Sequence, residues 1–261
     1  MTGEVMLRCA AVSDTGLARQ RNEDSAYAGR WLYAVADGLG GHVAGDLASA
    51  AVVTALRACD AKVTAAQLIA TLSKAVRAAN EILARKVAAD PALAGMGTTL
   101  TAMLWSGRSA AVAHIGDSRA YLLRGGRLLR ITKDHRLDGL VEDPGGLRAG
   151  LVRYLDGRPD RLPDMAQCQG LPGDRYLLCS DGLSSVASHV AIQHALQLAA
   201  SPDEAVQILI TLAYDAGAPD NVTVLVLDVA EARAGADVVS NPAVLGAAGA
   251  LARCCRDHGN G

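Results

Sequence analysis

The sequence has no phenylalanine, and aromatic residues make up only 3% of its 261 residues. Because 51% of the chain is nevertheless hydrophobic, its core must be built mainly from Ala, Val, Leu and Ile. A chain of this length can bury a sizeable core. Lysine is also scarce, with four residues among 25 Lys and Arg, which indicates a compositional bias rather than a function.

An excess of either charge is also lacking. The 25 basic and 27 acidic residues give a formal net charge of −2, without long runs of one sign. We therefore expect neither nucleic-acid binding nor a polybasic membrane surface. No apolar run approaches the ~20 residues that cross a bilayer, and the first residues do not resemble a secretory signal. These absences predict a cytoplasmic protein.

Motifs of several other protein classes are missing. The six cysteines contain no CxxC pair and no zinc-ribbon spacing, which is typical of reduced thiols in a cytosol. Cys254 and Cys255 lack a neighbouring lipidation signal, and we interpret them as thiols of a tail. The glycine-rich turn at 38–41 is not followed by Gly-Lys-Ser/Thr, and the chain has no Gly-x-Ser-x-Gly, so neither a P-loop nor a nucleophile elbow is predicted.

Hydrophobic periodicity and capping signals predict an α+β fold. The predicted strands are 6–13, 31–36, 98–105, 110–115, 119–123, 128–132, 176–180 and 222–229, and the predicted helices include 48–59, 68–87 and 201–217. Residues 135–170 have weak periodicity and are expected to be irregular. Antiparallel sheets with helices in segregated pairs are typical of this pattern. We expect one domain over 1–230 and a poorly ordered Ala/Gly-rich tail over 231–261, with at most a short helix at 242–253.

Four aspartates mark the ends of predicted buried strands. Asp37, Asp117 and Asp181 each follow an apolar run, and Asp220 precedes the last strand. Carboxylates gathered at one edge of stacked sheets repel each other and need a cation. A ligand set made only of oxygen favours a hard ion such as Mg²⁺ or Mn²⁺, and a paired-metal site lowers the pKa of a bound water. Taken singly, each Asp-Gly is more simply explained as a turn.

Seven short motifs occur in a distinctive order along residues 7–229. They are Arg19-x-x-Asn22-Glu23-Asp24-Ser25, Asp37-Gly38-Leu39-Gly40-Gly41-His42, Gly97-Thr98-Thr99, Gly116-Asp117-Ser118-Arg119, Thr132-Lys133-Asp134-His135, Ser180-Asp181-Gly182-Leu183 and Asp220-Asn221. This series resembles that of the metal-dependent (PPM, protein phosphatase 2C-type) serine/threonine phosphatases in their bacterial form. The resemblance implies an α-β-β-α sandwich, with two stacked antiparallel sheets flanked by helix pairs.

The resemblance also implies a site with two Mn²⁺ or Mg²⁺ ions and a third, weaker one. Its implied ligands are Asp37 as the bridging carboxylate, the Gly38 carbonyl, Asp181 and Asp220, with Glu23 and Asp24 acting through water and Asp117 with Asp181 at the third ion. Arg19 would hold the substrate phosphate, which its planar fork of donors suits. A metal-bridging hydroxide would attack phosphorus directly.

The chain departs from the family pattern at two places. Many eukaryotic members have His directly after the first Asp-Gly, where this chain has Leu39. Another side chain or a metal-bound water must therefore protonate the leaving oxygen, and His42 is the nearest imidazole in sequence. The flap that follows the Asp-His motif is abbreviated to about 136–152. His114 is expected to be a satisfied core histidine.

The resulting prediction is a monomeric, cytoplasmic phosphatase of phosphoserine and phosphothreonine in proteins, opposing bacterial kinases. A small-molecule phosphoesterase stays open as an alternative, because pocket shape decides the substrate. A pseudo-phosphatase that only binds is the second alternative, although the intact Asp37, Asp181 and Asp220 speak against it.

Overall fold

In the computed structural model, the described residues are 5–39, 44–137, 150–232 and 242–249. Their strands are β1 Val5–Asp14, β2 Asp24–Ala28, β3 Leu32–Leu39, β4 Gly97–Thr98, β5 Leu100–Ser106, β6 Ser109–Ile115, β7 Arg119–Arg124, β8 Arg127–Arg130, β9 Asp164–Gln169, β10 Arg175–Cys179, β11 Val222–Glu231 and β12 Ala243–Gly246. Their α-helices are α1 Gly45–Leu56, α2 Leu68–Ala89, α3 Asp181–Ser184, α4 His189–Leu198 and α5 Pro202–Asp215.

Within these residues the strands form two antiparallel sheets. The first has the order β1-β11-β10-β7-β8, and the second has the order β12-β2-β3-β5-β6-β9 with β4 paired to the end of β3. Helices α1 and α2 pack on the second sheet, and α3, α4 and α5 pack on the first. The predicted α-β-β-α sandwich is confirmed. No helix in the described ranges is long and apolar enough to span a bilayer.

Alternation along the strands creates three apolar layers. In β3, Ala34 and Ala36 face the layer under α1 and α2, whereas Tyr33 and Val35 face the opposite sheet, as the two-residue period of a strand requires. Between the sheets the few aromatic residues supply bulk, and the rings of Trp105 and Tyr176 meet edge to face with 5.4 Å between their centroids. Aromatic pairs in this geometry add to the free energy of burial.

Several expectations about secondary structure are corrected. β2 was not predicted as a separate element, and β9 lies in the segment expected to be irregular. β9 forms the edge of its sheet and most of its residues are exposed, so it lacks the alternation that indicates a strand. The predicted strand block at 98–132 is split, because β5 and β6 belong to the second sheet and β7 and β8 to the first.

The tail also differs from its expected form. Residues 243–246 form β12, which pairs antiparallel with β2, and Ala247 and Ala248 are buried in the core under α1. Residues 243–246 thus form a strand where at most a short helix was expected, and residues 247–249 are helical. The segment is short and consists mainly of Ala and Gly, so its pairing partner rather than its own pattern determines its structure.

Candidate metal centre

The acidic residues lie at one edge of the sandwich because antiparallel strands alternate in direction. β3 carries Asp37 near its end, and β2 begins with Asp24 directly opposite. In the other sheet, β10 ends just before Asp181 and β11 begins just after Asp220. Buried strands thus fix the backbone of each acidic residue, as a preorganised site requires.

Two threonines fix the position of Asp37. Thr99 Oγ1 accepts a hydrogen bond from the Asp37 N–H at 3.0 Å, and the Thr98 hydroxyl donates to the Asp37 carbonyl at 2.9 Å. The Thr99 N–H donates to the same carbonyl at 2.9 Å. The side chain of Asp37 is almost fully buried. These contacts give the Gly97-Thr98-Thr99 motif a role that sequence reasoning had not assigned.

Ser180 connects the two sheets beneath the site. Its hydroxyl donates to Asp24 Oδ2 at 2.7 Å and accepts from the Thr223 N–H at 2.9 Å. Asp181 follows as the first residue of α3. The next residue must be Gly182, because a Cβ there would lie 2.0 Å from the Asn221 carbonyl oxygen. Asp181 and Asn221 are therefore held close together by their backbones.

Asn221 ties the loop before β2 to the start of β11. Its Nδ2 donates to the carbonyls of Thr15 and Arg21, and its Oδ1 accepts from the Glu23 N–H at 2.9 Å. The Glu23 carbonyl accepts from the Gly38 N–H at 3.2 Å. Glu23, Gly38 and Asp220 are thereby assembled at the same edge.

The predicted phosphate-binding residue also lies here. Arg19 Nη2 donates to Asp220 Oδ2 at 2.8 Å, and the arginine side chain is 49% exposed. A guanidinium has five N–H donors, so Arg19 can hold Asp220 and still bind a phosphate oxygen.

Asp117 is attached to the site through the turn that contains it. Ser118 Oγ lies 2.7 Å from Thr99 Oγ1, and a Cβ at Gly116 would lie 2.5 Å from the Thr99 side chain. Arg136 Nη1 donates to Asp117 Oδ2 at 2.8 Å, with the Asp117 side chain 2% exposed. Sequence reasoning missed Arg136, although it directly follows the Asp134-His135 motif.

The described residues include both ends of the predicted flap. Arg136 forms a β-bridge with Leu151, and the Leu137 N–H donates to the Gly150 carbonyl at 2.7 Å. The flap therefore starts and ends as a paired β-ladder. Residues 138–149 lie outside the described residues.

A polar cluster connects the flap base to β9. His135 Nδ1 accepts from the Gly116 N–H at 3.0 Å, which places the proton on Nε2, and Nε2 lies 2.9 Å from Asp164 Oδ2. Burial would raise the pKa of Asp164, but hydrogen bonds from Arg153 and His135 outweigh it and hold this pKa below its ordinary value. The cluster thus fixes the loop that leads into the flap.

His114 is buried against this cluster, as predicted. Its Nε2 donates to the Lys133 carbonyl at 2.9 Å, and its Nδ1 lies 3.0 Å from the Thr101 hydroxyl. Burial, followed by the neighbouring His135, lowers the pKa of His114 to about 4. This histidine is therefore neutral at physiological pH and has a structural role.

Of the two residues relevant to proton donation, Leu39 and His42, only Leu39 lies in the described part of the chain. Leu39 is buried at the end of β3, where it pairs with Gly97, and it supplies no proton. His42 lies outside the described residues, so its proposed acid role stays a prediction.

The chemistry of the donor set fits a hard divalent cation. All the candidate ligands are carboxylates or a backbone carbonyl, which Mg²⁺ and Mn²⁺ prefer. Among the residues that the structure describes, no three His, Cys, Asp or Glu side chains form a ready-made metal-binding group. Arg19 and Arg136 pair with Asp220 and Asp117 at the same edge.

Comparisons with known proteins agree with this architecture. The protein phosphatase 2C family model matches residues 18–212. The serine/threonine protein phosphatase PstP of Mycobacterium tuberculosis is 46% identical over 237 residues, which is 87% of this chain and 46% of the relative. The serine/threonine phosphatase stp of Listeria monocytogenes is 31% identical, over 83% of this chain and 93% of the relative.

A solved structure is similar over the same part of the chain. The catalytic domain of PstP in complex with two manganese ions has a TM-score of 0.80 and 47% identity, covering 87% of this chain and all of that one. The chain belongs to the protein phosphatase 2C family. It spans about half the length of the M. tuberculosis relative that it matches.

Proposed function

We propose that this protein is a metal-dependent serine/threonine protein phosphatase whose substrates are phosphoproteins. The observation that carries this proposal is the gathering of acidic residues from both sheets at one edge, on strand ends fixed by Thr99, Ser180 and Asn221. Similarity to PstP, whose catalytic domain is described with two manganese ions, supports two Mn²⁺ or Mg²⁺ ions here. When bound, such ions lower the pKa of water and neutralise charge on a phosphate.

Different acidic residues would hold the different ions. We assign Asp37, near the end of β3 and opposite Asp24, as the carboxylate that would be shared by both ions, with the carbonyl of Gly38 beside it. Asp181 and Asp220 serve from the first sheet. Glu23 and Asp24 would contribute from the second sheet through water, and Asp117 with Asp181 would form the weaker third position.

Arg19 orients the phosphoryl group in this proposal. Its contact with Asp220 places the guanidinium at the rim of the site, and its partial exposure leaves it accessible to substrate. A planar donor fork matches two phosphate oxygens, and a fixed orientation favours in-line attack on phosphorus.

The leaving serine or threonine oxygen needs a proton. Leu39 cannot provide it, and His42 is the proposed donor because an imidazole titrates near neutral pH. Replacing His42 with Ala should then slow hydrolysis of phosphoserine peptides far more than that of p-nitrophenyl phosphate, whose leaving group needs little protonation. Equal slowing of both substrates would exclude the acid role.

The function itself is tested by metal-dependent hydrolysis. We expect turnover of phosphothreonine peptides with Mn²⁺ or Mg²⁺ and none after chelation. Full activity after exhaustive chelation would contradict the proposal. A preference for nucleotides or sugar phosphates would favour the small-molecule alternative, and Mn²⁺ binding without turnover would favour a pseudo-phosphatase.

A further inference from the structure

We infer that the C-terminal strand β12 is a positioning element of the metal centre, holding the backbone of Glu23 and Asp24 in place through β2. This inference rests on the proposed function, because it assigns a metal-binding consequence to a strand remote from the ligands in sequence. β12 pairs with β2, and a hydrogen-bond relay leads from Ala248 to Glu23.

β12 covers the outer edge of the strand that carries Asp24. Gly246 lies opposite Ser25 and Ala243 opposite Ala28, while β3 with Asp37 pairs with the other edge of β2. A strand paired on one side only has exposed backbone groups along its free edge. β12 therefore converts β2 from an edge strand into an internal one next to the site.

The close approach at the end of β12 depends on a glycine. Gly246 has a φ of +67°, and a Cβ there would lie 2.1 Å from the Asp24 carbonyl oxygen and 2.9 Å from Ser13 Oγ. A side chain at this position would meet both backbone strain and a collision with Asp24. β12 can dock in this way only if residue 246 is glycine.

A directional relay follows directly after this glycine. The Ala248 N–H donates to Ser25 Oγ at 3.1 Å, Ser25 Oγ lies 2.9 Å from Ser49 Oγ, and the Ser49 hydroxyl donates to the Glu23 carbonyl at 2.5 Å. Since each hydroxyl has one proton, Ser25 must donate to Ser49. Each group in the relay then donates once, and such chains strengthen cooperatively.

All members of the relay are shielded from water. Ser25 and Ser49 are fully buried, and Ala248 is 3% exposed. Buried hydroxyls that lose a partner are costly, so the relay couples the docking of β12 to the position of the Glu23 backbone. The same Glu23 carbonyl accepts from the Gly38 N–H, which extends the relay to the first Asp-Gly motif.

The test compares two glycine replacements in the full-length chain. We expect Gly246→Val to release β12 and weaken Mn²⁺ binding by roughly tenfold, the lower end of the effect of outer-shell contacts on metal affinity. Gly107→Val is the matched control, since Gly107 also has a positive φ, of +56°, but has nothing within 4 Å of an added Cβ. Calorimetric titration of the metal-free proteins with MnCl₂ measures affinity, and hydrogen exchange at 243–249 measures docking.

A second variant interrupts the relay without disturbing the glycine. Ser25→Ala should weaken Mn²⁺ binding severalfold while β12 stays docked. Ser109→Ala, which removes a buried hydroxyl that accepts from Gln169 Nε2 at 2.9 Å, should not change affinity. If Gly246→Val does not fold cooperatively, Ser25→Ala decides the question.

Failure of the inference and failure of the proposed function give different results. Absence of Mn²⁺ binding by the unmodified protein would overturn both. Unchanged Mn²⁺ affinity in Ser25→Ala, or in a Gly246→Val protein whose 243–249 segment exchanges rapidly, would overturn the inference alone. Continued protection of 243–249 in Gly246→Val would contradict the docking geometry on which the inference is based.

Discussion

The two ends of the sandwich both carry charged residues on strand ends, but they balance charge differently. At the end opposite the candidate metal centre, Arg175 on β10 donates two hydrogen bonds to Asp228 on β11, of 2.6 and 2.8 Å. Arg124 likewise holds Asp174 at 2.8 and 2.6 Å. A groove of about 760 Å³ lies there, yet each of these acids already has an arginine in a two-pronged pair.

The other end instead carries an excess of acidic residues. Against the two arginines Arg19 and Arg136, six of them lie at strand ends or in adjoining turns there, namely Glu23, Asp24, Asp37, Asp117, Asp181 and Asp220. Like charges brought together raise the free energy of the folded state unless cations compensate for them. A pocket alone therefore does not identify the functional end of this molecule, whereas the local excess of acidic groups does.

The largest expected effect is the loss of turnover when a predicted metal ligand is replaced. Asp37→Asn should lower turnover of a phosphothreonine peptide by about a thousandfold or more, ~4 kcal/mol in the activation barrier, because it removes the bridging charge without removing volume. Steady-state kinetics with Mn²⁺ checks this, and a thermal melt confirms folding. Turnover within about tenfold of the unmodified protein would show that Asp37 has another role.

Protonation of His114 tests a buried group at which burial outweighs the nearby carboxylates of Asp134 and Asp164. Its pKa is about 4 when folded and about 6.5 when unfolded, so the unfolded state takes up its proton first as pH falls. Stability should therefore decrease between pH 6.5 and 4, by roughly 3 kcal/mol from this group. The groups facing it are His135, Asp134 and Asp164.

Denaturant unfolding at several pH values measures this dependence. His114→Gln should unfold with a shallower pH dependence, whereas His194→Gln, on the exposed surface of α4, should retain the original slope. Identical slopes in His114→Gln and the unmodified protein would assign the acid sensitivity to other groups.

A substitution at the opposite end, where Arg175 pairs with Asp228, should lower stability and leave turnover unchanged. Asp228→Asn leaves Arg175 without a carboxylate partner, and Arg175 also donates to the carbonyls of Leu196 and Ala199 at 2.7 and 2.8 Å. We expect a loss of about 2 kcal/mol in unfolding free energy, below the usual cost of breaking a fully buried pair, because the Asp228 side chain is 24% exposed. A parallel loss of turnover would show that the two ends are coupled.

At the predicted metal site, the ends of β3 and β10 were predictable from the sequence, because each strand there stops at a recognisable signal. Asp37 and Asp181 follow apolar runs and precede glycine. The apolar stripe at 68–87 predicts α2, and Thr64 and Gln67 just before it form a capping box. These signals are local, so a single strand or helix contains all the information needed.

Elements stabilised by distant partners were not predictable in this way. β12 and β9 are edge strands whose pairing partners are distant in sequence: Gly246 pairs with Ser25, and Gln169 pairs with Ser109. Arg136 contacts Asp117 from the flap base, where Arg136 also forms a β-bridge with Leu151. Such contacts depend on tertiary structure that local propensity does not contain.

The smallest expected effect concerns this arginine, which brings a fixed positive charge to the metal end. Arg136 and a metal ion compete for the same Asp117 carboxylate, 2.8 Å from the guanidinium. Arg136→Ala should therefore tighten the weakest Mn²⁺ binding step by about threefold to tenfold, ~1 kcal/mol, in calorimetric titration. Arg158→Ala, which removes a surface partner of Asp156, is the control and should bind as the unmodified protein does. Weaker binding by Arg136→Ala would instead show that the arginine orients Asp117 toward the metal.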